Sequence, residues 1–225
     1  MSALMRTALS GLTRLMILMG LLLFSSAWSL KYWQAWIFLF VFALGSLLVT
    51  LDLGERDPGL LQRRMRSGPT AEKEKSQKII QVMASLGACA LLLLPSLDHR
   101  FRWSAVANSI ATGGDILFAA GFLIIWRVFR ANSYTSAIVE VDEKQSVVTT
   151  GPYKIVRHPM YAGALLMFFG TPLALASYWG LLVSLFLTAV IIARLLYEER
   201  YLASHLSGYA EYAAGVRWRL VPGIW

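Results

Sequence analysis

Six apolar runs long enough to cross a bilayer dominate the chain: Leu15–Leu30, Trp33–Leu53, Ile79–Leu97, Ser109–Ile125, Met160–Ala176 and Trp179–Leu196. A spanning helix needs roughly 17–25 apolar residues to cross about 30 Å of hydrocarbon. Lipid offers backbone amides and carbonyls no partner, so only helices and closed barrels survive there. The runs predict an all-α, polytopic integral membrane bundle of about six transmembrane helices. Nothing between them is long enough to build a soluble core, so residues 1–225 read as a single membrane domain. Charged residues make up 15% of the chain, against roughly 25% in soluble domains. The first run has no small-residue cleavage site after it and is expected to stay as a retained helix.

Charge then sets the topology. The formal net charge is +8, which in a soluble protein would point to nucleic acid. Here the Lys and Arg are sorted by loop. With the N-terminus inside, only Lys31, Arg100 and Arg102 of the 21 lie on the outer side. Such a split follows the positive-inside rule, so both termini are expected in the cytoplasm. The basic excess reads as a topology signal and an attraction to anionic membrane lipid, with no nucleic-acid partner. A cytoplasmic (inner or plasma) membrane is the expected location.

Residues 54–78 form a basic cytoplasmic loop, broken by Pro58, Gly59, Gly68 and Pro69, in which Leu60, Leu61 and Met65 fit one face of a short interfacial helix. Residues 1–126 hold the N-terminal transmembrane helices. Residues 127–225 begin with the long stretch Arg127–Pro159, which alternates over Ser136–Val141 and Ser146–Val148 and reads as extended or turn structure. Thr171-Pro172 and Ser177-Tyr178 mark a tight outer turn between the last two runs. Two full spans and a re-entrant hairpin kinked at Pro172 both fit that spacing. After Leu196 the pattern Tyr201, Leu202, His205, Leu206, Tyr209, Tyr212, Ala213, Val216 predicts a cytoplasmic C-terminal helix with an aromatic face. That face suits either interfacial anchoring or a lid over a pocket.

Two polar clusters stand out against this background. Arg194 and Glu198 are four residues apart at the inner end of the last span, on one helical face. They suit an interfacial ion pair as well as a ligand site, since Arg snorkels readily. The second cluster runs from Gly151 to Gly163, where the loop enters the fifth span. Pro159 fits a first helical turn, and the free amides there favour an anionic group. His158 precedes it in extended backbone, as a cap or as a functional side chain. No metal is expected: His99, His158 and His205 do not form a ligand spacing, and Cys89 is the lone cysteine, read as a small lipid- or helix-facing apolar residue.

Gly-Pro-Tyr, then Arg-His-Pro-x-Tyr-x-Gly, then a Glu-Glu pair and a Tyr-x-x-Tyr tail ending in Val-Pro resembles the isoprenylcysteine carboxyl methyltransferase family and the wider group of membrane phospholipid methyltransferases. The match covers roughly residues 127–225. The resemblance implies an S-adenosylmethionine-dependent methyltransferase built in the membrane, without a Rossmann domain, with residues 127–225 as its catalytic core and the active site facing the cytoplasm. It places Gln145, Val148, Tyr153, His158, Pro159, Tyr161 and Glu198 around the cofactor, Gln145–Val148 largely through backbone. It makes Arg194 the catalytic, substrate-side arginine and puts Asn132 beside the substrate. The implied partners are membrane lipids and a lipid-like or prenylated acceptor.

Glu198 then suits the cofactor ammonium, His158 and helix-start amides its carboxylate, and the Tyr153 and Tyr161 rings its adenine or sulfonium. Arg194 offers a fork to an acceptor carboxylate, which favours isoprenylcysteine-type O-methylation. A phospholipid amine or small thiol is the alternative and needs a base, for which His158 and Glu199 are the candidates. The tail departs from the family pattern at Ser207-Gly208, and Gln145 stands where some members have His, which leaves the acceptor open. Two further classes fit the chain. One is a nicotinamide-dependent sterol-type membrane reductase, using Arg217 and Arg219 for phosphate; the other is a non-enzymatic scaffold.

Overall fold

A computed structural model describes residues 2–65, 68, 70, 72, 74–135, 138 and 145–225. The chain folds into helices α1 (Ala3–Ala27), α2 (Trp33–Arg56), α3 (Pro58–Met65), α4 (Lys75–Phe101), α5 (Asn108–Ala131), α6 (Pro159–Ala174), α7 (Gly180–His205) and α8 (Tyr209–Gly215), with a 3₁₀ turn at Gly151–Lys154. Among the described residues there is no β-strand. The alternating stretch Ser136–Val141 lies outside the described residues apart from Ile138, and Ser146–Val148 has no regular structure.

Five helices, α1, α2, α4, α5 and α7, are long and apolar enough to cross a membrane. The predicted fifth span is shorter than its run: α6 has 16 residues, roughly 24 Å at the helical rise. Its C-terminal end nevertheless reaches the layer that closes its longer neighbours. Tyr32 Oη, just before α2, donates to the Leu175 carbonyl at 2.5 Å, and Ser177 donates to Asp98 of α4 at 2.5 Å. Asp98 also accepts from the amide and hydroxyl of Ser104. A buried carboxylate with three donors knots the loops at one end of the bundle. Of the two pairs predicted to mark the turn, Thr171 and Pro172 lie inside α6, while Ser177 and Tyr178 fall within the reversal itself, Leu175–Trp179.

Other boundaries also move. Arg6 and Arg14 ride on α1, which starts twelve residues before its apolar run. Lys75 and Lys78 belong to α4, so the basic loop is shorter than 54–78. In α3, Leu60 and Leu61 are buried against Leu53 and Phe129 while Met65 is exposed, so Met65 does not share their face. The predicted C-terminal helix is two helices, because Gly208 adopts φ +82° and starts α8 afresh. Cys89 is exposed on α4.

Packing explains the arrangement. Met19, Leu23, Phe38, Leu92, Phe118 and Leu175 bring α1, α2, α4, α5 and the end of α6 into one core. Leu21, Leu86, Ile116 and Leu185 point outward, as lipid-facing side chains do. The tightest contact is between α5 and α6. Gly114 and Gly121 on one helix meet Gly170 and Gly163 on the other. A Cβ on Gly121 would sit 2.6 Å from the Gly163 carbonyl oxygen, and one on Gly170 would sit 2.9 Å from the Gly114 oxygen. Small residues at matching seven-residue spacing let two membrane helices touch backbone to backbone. This contact fixes where α6 begins, and so where the site lies.

Candidate active site

At the end of the bundle that carries the basic loop, the ends of α5, α6 and α7 converge with the segment before α6 and the tail after α7. They enclose a cavity of about 110 Å³ that is partly open to solvent. Asn132, Gln145, Val148, Tyr153, His158, Pro159, Tyr161, Arg194 and Glu198 all line it. Four separate segments of sequence thus meet at one place.

Local chemistry puts each side chain there. Pro159 occupies the first position of α6, where its missing N–H costs nothing. The residues before it are held by the tail: the Arg157 amide donates to the Trp218 carbonyl at 2.9 Å and the His158 amide to the Arg219 carbonyl at 3.0 Å. Glu199 locks the same three segments through side chains. It accepts from Arg157 Nη1 at 3.1 Å and Arg219 Nε at 2.8 Å, and it lies 3.4 Å from His158 Nε2. His158 is buried, its ring stacked 5.8 Å from Tyr161. Glu199 is therefore the anchor of this corner, with its oxygens engaged by two arginines.

The Arg194–Glu198 pair allowed by the i, i+4 spacing does not form. Arg194 Nη1 instead reaches Glu72 at 2.9 Å and donates to Gln77 Oε1 at 3.3 Å, while its Nε donates to Tyr161 Oη at 3.1 Å. Tyr161 in turn donates to Glu198 Oε2 at 2.5 Å. Glu72 and Gln77 come from the N-terminal half, which carries none of the ordered motif. A single Glu in a basic loop gives no signal in sequence; only the fold brings it to Arg194. Of the cations lining the cavity, Arg157 is paired with Glu199 and Arg194 with Glu72. Among the described residues Glu198 has no ion-pair partner, so the cavity wall carries one uncompensated negative charge.

The aromatic tail divides. Leu206, Tyr209 and Tyr212 turn inward against Val147 and Tyr153 and line the cavity, whereas Tyr201 and His205 stack on each other outside it at 4.1 Å. Asn132 donates to the Tyr153 hydroxyl at 3.0 Å, and Tyr212 donates to the Tyr153 carbonyl at 2.9 Å. Burial pushes the Tyr153 and Tyr209 phenols well up and the Tyr212 phenol up to about 12, so all three keep their protons. The Tyr209 hydroxyl is buried and has no hydrogen-bond partner among the described residues. An orphaned hydroxyl facing a cavity calls for a polar ligand atom. It was visible in sequence only as one member of an aromatic face.

These groups fit S-adenosylmethionine: an unpaired carboxylate for its cations, aromatic faces, buried hydroxyls, and helix-start amides for its carboxylate. Residues 110–208 match a family model described as phospholipid methyltransferase. Over 131 residues the chain is 30% identical to phosphatidylethanolamine N-methyltransferase of Mus musculus, an alignment covering 53% of this chain and 66% of the relative. It is 29% identical over 133 residues to protein-S-isoprenylcysteine O-methyltransferase B of Arabidopsis thaliana, covering 56% of this chain and 63% of that protein. The chain thus spans just under two thirds of the length of the relatives it matches. The family match falls on the helices that build the cavity, and together with the two kinds of relative it makes this chain similar to the phospholipid and isoprenylcysteine methyltransferases.

Proposed function

We propose that the cavity binds S-adenosylmethionine and that the protein methylates a lipid-like acceptor at the cytoplasmic face of its membrane. The observation that carries this reading is the convergence of Tyr153, His158, Tyr161 and Glu198 on one cavity, in which Glu198 has no ion-pair partner among the described residues. S-adenosylmethionine supplies an electrophilic methyl group on a sulfonium. Glu198, fixed by Tyr161, neutralises the positive end of the donor. The first amides of α6, which a helix leaves unpaired, hold its carboxylate. Tyr153 and Tyr212 pack against the adenosyl part, and the tail and α8 exclude water from the reacting atoms.

The relatives' names include both an N- and an O-methyltransferase. A carboxylate acceptor needs the Arg194 fork, and Glu72 and Gln77 engage that fork from inside the protein. The geometry therefore favours the amine of a phospholipid head group. Such an ammonium must first lose a proton. His158 lines the cavity with its ring against Glu199, the arrangement of a base and its orienting carboxylate. Glu199 itself is taken up by Arg157 and Arg219, which leaves His158 as the base. The acceptor nitrogen, its proton passed to His158, forms the new N–C bond as the C–S bond breaks. The electron pair stays on sulfur, and the product is the methylated ammonium.

A nicotinamide-dependent reductase would use Arg217 and Arg219 for phosphate. Arg217 lies over the Trp218 ring at 4.8 Å, and Arg219 is bound to Glu199 and lies over Trp225 at 5.3 Å, so both are already engaged. Titration of the purified protein with S-adenosylhomocysteine and with NADPH tests the reading. Binding of the first alone is expected, followed by transfer of labelled methyl into a total lipid extract. Binding of NADPH instead would replace the proposal by the reductase, and binding of neither by a scaffold.

A further inference from the structure

Glu72 is the most deeply buried acid among the ion pairs of the described residues, with 2% of its side chain exposed, and its partner Arg194 lines the cavity. It comes from the connection between α3 and α4, far in sequence from the rest of the site. Gln77, wholly buried one turn into α4, closes on the same guanidinium. Arg194 is thus held by groups of the chain itself, Glu72, Gln77 and Tyr161 among them. A carboxylate buried this far persists only when paired, and its contact with the arginine is that of an acidic ligand.

We infer that Glu72 determines acceptor choice by occupying the place on Arg194 that an acceptor carboxylate would take. The inference rests on the methyltransferase reading above. A carboxylate-bearing lipid has to displace Glu72 from Arg194 and then stand near two like charges, Glu72 and Glu198, in a site poor in water. Juxtaposing like charges under those conditions is costly. An amine has no need of Arg194 and is drawn by Glu198. Glu72 touches neither donor nor acceptor in this scheme; it is a positioning residue that sets specificity.

The test compares the parent protein with Glu72→Gln, purified in mixed micelles and given labelled S-adenosylmethionine. Two acceptor probes are used: phosphatidylethanolamine for the amine and an S-prenylated N-acetylcysteine for the carboxylate. Methyl esters release their label as methanol in base and N-methyl groups do not, so the products are counted separately. The parent should label the amine far better than the carboxylate. Glu72→Gln should raise the ester-to-amine ratio by about tenfold or more, the scale expected from removing a like charge in a desolvated site. Adding Arg194→Gln to Glu72→Gln should abolish that gain.

An unchanged ratio, or a parent that esterifies the carboxylate as readily as it methylates the amine, overturns the inference. Binding of S-adenosylhomocysteine is measured on every protein: its failure in the parent removes the methyltransferase reading itself, whatever Glu72 does. Where Glu72→Gln fails to bind it, Glu72→Ala, which also removes the charge, takes its place in the comparison under the same criteria. A merely structural role would lower both products together and leave their ratio alone.

Discussion

Tyr161 on α6 donates its phenolic hydrogen to Glu198 Oε2 on α7 at 2.5 Å. The same hydroxyl accepts from Arg194, so one tyrosine separates the arginine that Glu72 neutralises from the acid that stays unpaired. Two oppositely charged residues one helical turn apart are in this way kept from quenching each other.

The first prediction concerns that acid. Glu198→Gln keeps the shape and an acceptor for Tyr161 but removes the charge. Hydrogen bonds to charged groups are worth about 1.5–3 kcal/mol, so S-adenosylhomocysteine binding should weaken about tenfold to a hundredfold in a calorimetric titration. Equal affinity for parent and variant would refute the role given to Glu198.

Tyr209→Phe separates ligand binding from folding. The hydroxyl is buried without a partner among the described residues, and such a group carries a desolvation cost of about 1–3 kcal/mol. Removing it should leave the thermal midpoint of the ligand-free protein unchanged or higher. S-adenosylhomocysteine binding should fall about fivefold to tenfold, the value of one neutral hydrogen bond. A lower midpoint with unchanged binding would mean that the hydroxyl serves the fold.

His158→Asn tests proton transfer. General bases contribute about a hundred- to ten-thousandfold, so turnover on the amine should fall on that scale while S-adenosylhomocysteine binding stays close to that of the parent. Turnover within a few-fold of the parent would remove His158 from the chemistry.

Arg194→Ala removes the arginine that pairs with the buried Glu72 carboxylate. Breaking a buried ion pair from one side costs about 3–5 kcal/mol, so the variant should unfold at clearly lower denaturant or temperature. Glu72→Gln combined with Arg194→Ala should recover much of that loss. The double-mutant cycle measures the coupling directly, and additivity of the two changes would deny the pair.

Gly121→Leu should be among the most damaging substitutions in the chain, because its Cβ would already stand 2.6 Å from the Gly163 oxygen. Overpacking of this kind typically costs about 1–3 kcal/mol, and more when backbone is the obstacle. Loss of monodisperse protein after extraction from the membrane, beside intact behaviour of Gly11→Leu on the open side of α1, is the outcome to look for.

Sequence carries much of this fold because the membrane simplifies it. Apolar runs locate the long helices, the sorting of Lys and Arg puts both termini on one side, and Pro159 marks the start of α6 within one residue. The ordered cluster from Tyr153 to Tyr161, followed by Glu198, locates one wall of the cavity. What stays hidden has a physical cause in each case. Thr171-Pro172 reads as turn chemistry but lies inside α6, so of the two marked pairs only Ser177-Tyr178 falls in the reversal of the chain. Gly208 breaks the tail by a backbone conformation that periodicity does not register. Glu72 meets Arg194 across more than a hundred residues, and its partner on one helical face, Glu198, was the nearer choice. The matched glycines of α5 and α6 read singly as ordinary small residues; only the antiparallel pairing makes them a motif.

That pairing also governs traffic. Where two helices touch main chain to main chain, a fatty tail has no room to wedge between them, and α5 and α6 close one flank of the bundle along much of their shared length. An acceptor arriving sideways from the bilayer must therefore come in along another face.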